Sequence, residues 1–366
     1  MYPTSSIDSV PIRFIESASS TTTHHRLVND PDRQVHSSAT RDEVLEDTFG
    51  RRFSYLRLSL TDACNFRCQY CLPDGYCPSE EPNRLSLSDI QFLVETLALC
   101  GTQKVRLTGG EPTLRKDLKD IVSACSSIDG IEHVALTSNG YRLKHQIKAL
   151  AGAGLSSLNL SADSLDADTF LAITGHDKLG AVLEAMRAAL DTPIKSVKLN
   201  AVLMRQFNNI NITPYLDLVR DTRISMRFIE LMRTGDNQAF FEAQHYPAMN
   251  IYDLLIKEGW TEARKDKNAG PAVELEHQDY QGKIGLIMPY SNNFCNDCNR
   301  MRISSEGKLH LCLFGHADAD LRPFIDARDQ AGLIALLART VKTKWQGHHL
   351  QESYSGSTKN LAMLGG

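Results

Sequence analysis

The chain has 366 residues, 42% hydrophobic and 23% charged, enough to bury one large core or a core with a smaller appendage. No run approaches the roughly 18–20 apolar residues of a membrane-spanning helix, so no transmembrane segment is expected. A net charge of −4 gives no global attraction to nucleic acid or anionic lipid, so a polyanionic ligand has to be met by a local cluster of cations.

Residues 1–46 are rich in Ser, Thr, His and Asp without apolar periodicity, the composition of a mostly disordered extension. A mitochondrial transit peptide is the competing reading; Asp8, Glu16 and the shortage of Arg argue against it. From Tyr55 onward, short apolar runs alternate with helical spacing. Strands are predicted at 55–60, 104–107, 133–137, 157–160, 197–203 and 225–229. Helices are predicted at 88–100, 117–127, 143–151, 179–190 and 214–220, the first on the stripe Ile90, Leu93, Leu97 and Cys100 with Gly101 as its stop. Six strands separated by helical stretches imply parallel strands with right-handed crossovers, an α/β fold of the partial or complete barrel type. Residues 277–314 read as hairpin-like strands and 330–345 as a helix, together a smaller second layer closing the barrel. The expected domains are therefore a 1–46 extension, a 47–235 barrel and a 236–366 carboxy-terminal region. In such barrels the active site lies at the carboxyl ends of the strands. Arg57, Gly109, Gly110, Thr137, Ser161, Lys198 and Met232 all fall in or just after the predicted strands.

Six of the nine cysteines form two tight groups; Cys77, Cys100 and Cys125 stand outside them and read as structural. Clustered cysteines in a long chain suggest metal and a reducing compartment. Cys64, Cys68 and Cys71 have the spacing C-x3-C-x2-C directly after a strand, where a loop can wrap a cofactor. Three thiolates suit a 4Fe–4S cluster with one iron left open to chelate a methionine moiety. A zinc site with Cys77 as fourth ligand is the alternative, weakened by the absence of a second C-x2-4-C pair nearby. Tyr70, just before the last thiolate, fits a cofactor wall as well as ordinary packing. Cys295, Cys298 and Cys312 again supply three thiolates. On spacing alone a second cluster and a zinc site completed by His310 or His316 are equally acceptable.

The C-x3-C-x2-C run with an aromatic before its last cysteine, followed by Leu-Thr-Gly-Gly-Glu-Pro at 107–112, resembles the radical S-adenosylmethionine (SAM) superfamily. Glycines at a strand end let backbone approach a ligand closely. Phe-Cys-Asn-Asp-Cys-Asn-Arg-Met-Arg at 294–302, Glu-Gly-Lys-Leu-His-Leu-Cys-Leu at 306–313 and the closing Gly365-Gly366 are similar to the MoaA family of GTP 3′,8-cyclases in molybdenum cofactor synthesis, over nearly everything from Thr48 onward. The resemblance implies two 4Fe–4S clusters, at Cys64, Cys68 and Cys71 and at Cys295, Cys298 and Cys312, the second meeting the guanine of GTP. It assigns SAM to Tyr70, Gly110, Ser161 and Met232, and GTP to Arg57, Arg106, Thr137, Lys198, Arg300, Met301 and Arg302. It brings Gly365 and Gly366 into the active site as catalytic residues. It departs from the family where Arg233 follows Met232, often a Pro, and where Ala162 replaces a larger aliphatic residue.

A triphosphate brings close to four negative charges, and the arginines and lysine of this set offset them, Arg as a bidentate fork and Lys as a point charge. The implied reaction moves the hydrogen from C3′ of GTP to a 5′-deoxyadenosyl radical and joins C3′ to C8; one-electron reduction and protonation then give (8S)-3′,8-cyclo-7,8-dihydroguanosine 5′-triphosphate. The implied partners are a reductant such as flavodoxin or ferredoxin and the next pathway enzyme, cyclic pyranopterin monophosphate synthase. A homodimer is compatible with the resemblance, no nucleic acid or membrane partner is expected, and the location is cytoplasmic.

Overall fold

The computed structural model describes residues 44–77, 83–208, 211–235, 237–265, 269–352, 354–356 and 361–364. In chain order it contains β1 Tyr55–Ser59, α1 Leu87–Leu99, β2 Lys104–Thr108, α2 Leu118–Ser126, β3 His133–Ser138, α3 Ile147–Gly152 and β4 Leu155–Ser161. There follow α4 Ala167–Thr174, α5 Leu179–Leu190, β5 Ser196–Leu203, α6 Thr213–Asp221 and β6 Ser225–Glu230. Beyond them come α7 Gln238–Gln244, α8 Met249–Lys257, β7 Thr261–Glu262, β8 Val273–Glu276 and β9 Lys283–Ile287. The last elements are β10 Arg300–Ile303, β11 Lys308–His310, β12 Ala319–Asp320, α9 Arg322–Asp326 and α10 Gln330–Val341.

Among the described residues, all named strands join one sheet in the order β12-β11-β10-β1-β2-β3-β4-β5-β6-β9-β8-β7. The run from β10 through β1–β6 to β9 is parallel throughout. The strand order ends at β12 and β7 without returning on itself, so the barrel is partial. This corrects the expected second layer. β9 closes an antiparallel hairpin with β8 and β10 opens one with β11, but β9 and β10 also pair in parallel with β6 and β1 and so widen the barrel itself. Leu45, expected to lie in the extension, is buried, and its carbonyl accepts the Phe53 N–H at 3.0 Å. Residues 1–43 lie outside the described residues.

The local reasons for these elements are plain. Ser86 opens α1 with a capping box, its hydroxyl accepting from Asp89 N while the Asp89 carboxylate accepts from Ser86 N. Ile90, Leu93, Val94 and Leu97 then face the core. Parallel strands covered on both faces usually read as continuous apolar runs, yet these alternate. Leu56 and Leu58, Val105 and Leu107, Leu158 and Leu160, Val197 and Leu199, and Met226 and Phe228 are buried in the apolar core. The intervening residues point to the barrel interior, where Arg57, Arg106, Asn159, Lys198 and Arg227 line a cavity. The helices cover the apolar face; the interior is left polar. Among the described residues no helix is long and apolar enough to cross a membrane.

Candidate active site

The first cysteine group sits on the loop after β1. The N–H groups of Cys71 and Leu72 both donate to Cys68 O, at 3.0 and 2.9 Å, closing a tight turn around the last two thiols. This loop is seated on the end of β2. Gly110 N donates to Thr61 O and Glu111 N to Ala63 O, both at 2.7 Å. A Cβ on Gly110 would stand 2.2 Å from Ala63 O; one on Gly109, whose φ is +143°, would stand 2.2 Å from Thr61 O. Only glycine permits that approach. The glycine motif therefore carries the cysteine loop, in addition to any ligand contact.

Glu111 extends the support. Its buried carboxylate accepts from the Thr113 N–H and hydroxyl, from Ser138 Oγ at 2.8 Å and from Asn139 N at 2.7 Å. Asn139 in turn donates to Asn65 Oδ1 within the loop at 2.8 Å. On the far side, Tyr70 OH donates to Asp163 at 3.1 Å, two residues past the end of β4 at Ser161. Burial pushes the Asp163 carboxyl up to about 6. Burial, reinforced by neighbouring negative charge, raises the Cys64 thiol, raises Cys68 well above its ordinary value and pushes Cys71 up to about 12. Thiols in such a place ionise when a cationic metal centre takes up their charge. That donor chemistry fits an iron–sulfur cluster.

The barrel interior holds a cavity of about 840 Å³, well within the size range of ligand sites. Arg57, Lys104, Arg106, Lys198, Arg227, Arg300 and Arg302 line it, with Glu274 of β8. The crowding is electrically costly. Burial first, and then neighbouring guanidiniums, push Arg57 down to about 9 and Arg302 to about 10, while burial and Arg227 lower Lys198 to about 8. Glu274 bonds Arg227 and lies 3.3 Å from Lys198; although burial opposes it, those cations hold its carboxyl at about 2. Arg106 is aimed by Tyr55 OH at 2.5 Å and by Leu136 O and Thr137 Oγ1, both at 3.2 Å. Burial would raise the Tyr55 phenol, yet Arg106, Arg57 and Lys104 bring it down to about 7. A cavity so charged is built for a polyanion.

The second cysteine group opens onto this cavity: Cys295, Cys298 and Cys312 all line it. Cys298 N donates to Cys295 O at 3.1 Å, and Arg300 Nη2 stands 3.6 Å from Cys298 Sγ. Burial works against ionisation of Cys298, but Arg300 and Lys344 outweigh it and hold the thiol at about 6. Of the two histidines offered by the sequence, His310 pairs in register with Arg302, and burial and that guanidinium push it down to about 4. His316 bonds Tyr354 OH at 2.6 Å. Among the described residues no three Cys, His, Asp or Glu side chains gather as a site for a single ion.

The cavity thus brings together Arg57, Arg106, Thr137, Lys198, Met232, Arg300, Arg302 and the second cysteine group. Cys64, Cys68, Cys71, Tyr70, Gly110 and Ser161 are not in its lining; they form the loop layer at the strand ends. Met301 is not in the lining: its side chain is fully buried among core side chains, on the face of β10 opposite Arg300 and Arg302. Gly365 and Gly366 lie outside the described residues. Tyr55, Lys104, Arg227 and Glu274 were missed. The period of two on β1 and β2 places Tyr55 beside Arg57 and Lys104 beside Arg106, a signal that was available. Glu274 arrives from an antiparallel hairpin 76 residues beyond Lys198, and no local signal announces it.

A three-cysteine loop after the first strand of a partial parallel barrel, seated on a Gly-Gly-Glu-Pro strand end, defines the radical SAM class of enzyme. The sequence matches the family model of the Radical SAM superfamily over residues 58–219 and that of Molybdenum Cofactor Synthesis C over residues 224–350. It is 47% identical over 333 residues to the GTP 3′,8-cyclase of Actinobacillus pleuropneumoniae serotype 5b, covering 90% of this chain and 98% of that protein. To the GTP 3′,8-cyclase of Synechococcus elongatus it is 48% identical over 325 residues, covering 88% and 99%. The solved structure of Streptococcus suis SuiB bound to S-adenosylmethionine aligns with a TM-score of 0.48 at 17% identity, covering 72% of this chain and 60% of that one. The chain belongs to the GTP 3′,8-cyclase family. As a radical SAM enzyme it uses SAM and an iron–sulfur cluster.

Proposed function

We propose that the chain converts GTP to (8S)-3′,8-cyclo-7,8-dihydroguanosine 5′-triphosphate, the first step of molybdenum cofactor biosynthesis. The observation that carries this reading is the cation-lined cavity into which the second cysteine group opens. Cys64, Cys68 and Cys71 are the residues to hold the first cluster, which with SAM supplies a hydrogen-abstracting 5′-deoxyadenosyl radical. Tyr70, Gly110, Ser161 and Met232 are the proposed SAM contacts, and Met232 is the one that also lines the cavity.

Within the cavity, Arg57, Arg106, Arg300 and Arg302 offset the triphosphate, with Lys198 as a point charge. Thr137 and Leu136 O hold Arg106 in place for that task. Cys295, Cys298 and Cys312 are proposed to carry a second 4Fe–4S cluster against the guanine; the Cys298 thiol near 6 favours the thiolate this needs. Water exclusion by the barrel walls protects the radical intermediates from side reactions. Gly365 and Gly366 are proposed to reach this site. The reductant is proposed to be a flavodoxin or ferredoxin, and the product acceptor cyclic pyranopterin monophosphate synthase, in the cytoplasm, a setting that clustered free thiols support.

The test is anaerobic incubation of the reconstituted full chain with SAM, dithionite and either GTP or ATP. Formation of 5′-deoxyadenosine together with the cyclised nucleotide, with GTP alone, is the expected result. SAM cleavage indifferent to the nucleotide overturns the reading.

A further inference from the structure

The second cysteine group draws its thiols from two separate segments, 295–298 before β10 and Cys312 after β11. Something has to hold both in register before a metal can be bound. One buried side chain, Arg51, spends its donors on this task. Its Nε donates to Asp47 Oδ2 at 2.6 Å, its Nη1 to Cys295 O at 3.1 Å and Gln346 O at 2.6 Å, and its Nη2 to Trp345 O at 2.6 Å. Cys295 O is the same carbonyl that closes the turn to Cys298 N. Asp47 is itself preset: its Oδ1 accepts from Phe49 N at 2.9 Å and Arg51 N at 3.0 Å.

The segment that Arg51 grips follows α10, and it reaches the other arm through its first residue. Lys344, also buried, donates from Nζ to Leu311 O, next to Cys312, and stands 5.6 Å over the Phe53 ring. Phe53 is two residues past Arg51, so both cations stem from or rest on the same stretch, 47–53. Arginine suits the first position because a planar fork can bind several carbonyls at once; lysine suits the second as a single donor.

We propose that Arg51 and Lys344 are positioning residues of the second cysteine group: Arg51, oriented by Asp47, fixes the Cys295–Cys298 turn to the 344–346 segment, and Lys344 fixes that segment to the Cys312 arm. The inference rests on the proposed second cluster for its purpose but not for its geometry. Removing the Arg51 guanidinium frees Cys295 O, Trp345 O and Gln346 O together and leaves the Asp47 carboxylate buried without its partner.

The experiment uses the full chain, purified anaerobically, as Arg51→Gln, Arg51→Lys, Lys344→Met and Cys295→Ala. Iron, sulfide and zinc contents are measured beside hydrogen exchange of residues 295–298 and 344–346. Arg51→Gln is expected to lose the metal of the second group, about half the total iron, while SAM cleavage at the first group persists. Exchange in both segments is expected to quicken on the order of tenfold, with Arg51→Lys intermediate. Cys295→Ala is expected to lose the same metal without quickening 344–346, which separates a lost ligand from a lost clasp. If Arg51→Gln does not fold, Lys344→Met decides by the same two readouts. Should the parent chain hold no metal at the second group, the second-cluster reading fails and the exchange arm alone still judges the clasp. Full metal content with unaltered exchange in Arg51→Gln or Lys344→Met overturns the proposal.

Discussion

At Tyr55 one phenol sits among Arg106, Arg57 and Lys104, and the three cations outweigh burial to bring it down to about 7. In the unfolded chain the same group titrates near its ordinary value of about 10. The folded value is depressed, so its contribution to stability is fully present above the unfolded value and is lost as pH falls through the folded one. The parent chain is therefore expected to gain stability over Tyr55→Phe as pH is raised from about 7 toward 10. Thermal melts of both across that window check it; a constant difference contradicts the phenolate. Gly110 makes a second test. Its replacement by Ala sets a methyl group 2.2 Å from Ala63 O, a backbone atom that cannot swing aside. Iron at the first cysteine group is expected to fall severely, along with SAM cleavage, in Gly110→Ala. Iron content at the parent level would mean the loop is seated some other way. The cysteines and the glycine pair were legible because their chemistry needs those residue types. The partners of Glu111, Asn139 and through it Asn65, were not, since any polar residue reads alike until the fold brings them together.

Strand β10 shows how one element serves two masters. Arg300 and Arg302 line the cavity, while Met301 between them is fully buried in the core. Met301→Ala is expected to cost about 2–5 kcal/mol of stability, as buried methionines do, with the KM for GTP nearly unchanged. Arg302→Met is expected to do the reverse: a charge-assisted contact of about 1.5–3 kcal/mol is lost, so KM rises roughly tenfold or more at similar stability. Denaturant titration and steady-state kinetics on both variants distinguish the faces; equal effects on both quantities would contradict the alternation.

The six strands β1–β6 were readable from local periodicity, with bounds within two residues of those observed. Pairing of β10 with β1 was not, because a strand carries no mark of a partner some 245 residues away. The predicted helix at 143–151 divides into a short 3-10 turn at Leu143–His145 and α3, a change in hydrogen bonding that leaves the apolar spacing almost intact.

Over the whole molecule, a chain of net charge −4 keeps a cationic interior. The small net negative charge gives no long-range attraction to a nucleotide, whereas the low-dielectric walls focus the field of the cationic interior at its mouth. The sheet makes this arrangement: β9 and β10, supplied from the carboxy-terminal third, widen the six-stranded barrel and carry Arg300 and Arg302 to its wall. The first cysteine loop lies at the strand ends and the second cysteine group on the cavity wall. On the proposed reading, a sugar held between them would present its C3′ hydrogen to one and its base to the other. GTP deuterated at C3′, turned over anaerobically with SAM by the reconstituted chain, tests that placement most directly. Deuterium is expected in the 5′-deoxyadenosine and in none of the C3′ positions of the product; unlabelled 5′-deoxyadenosine formed alongside cyclised nucleotide would contradict that placement.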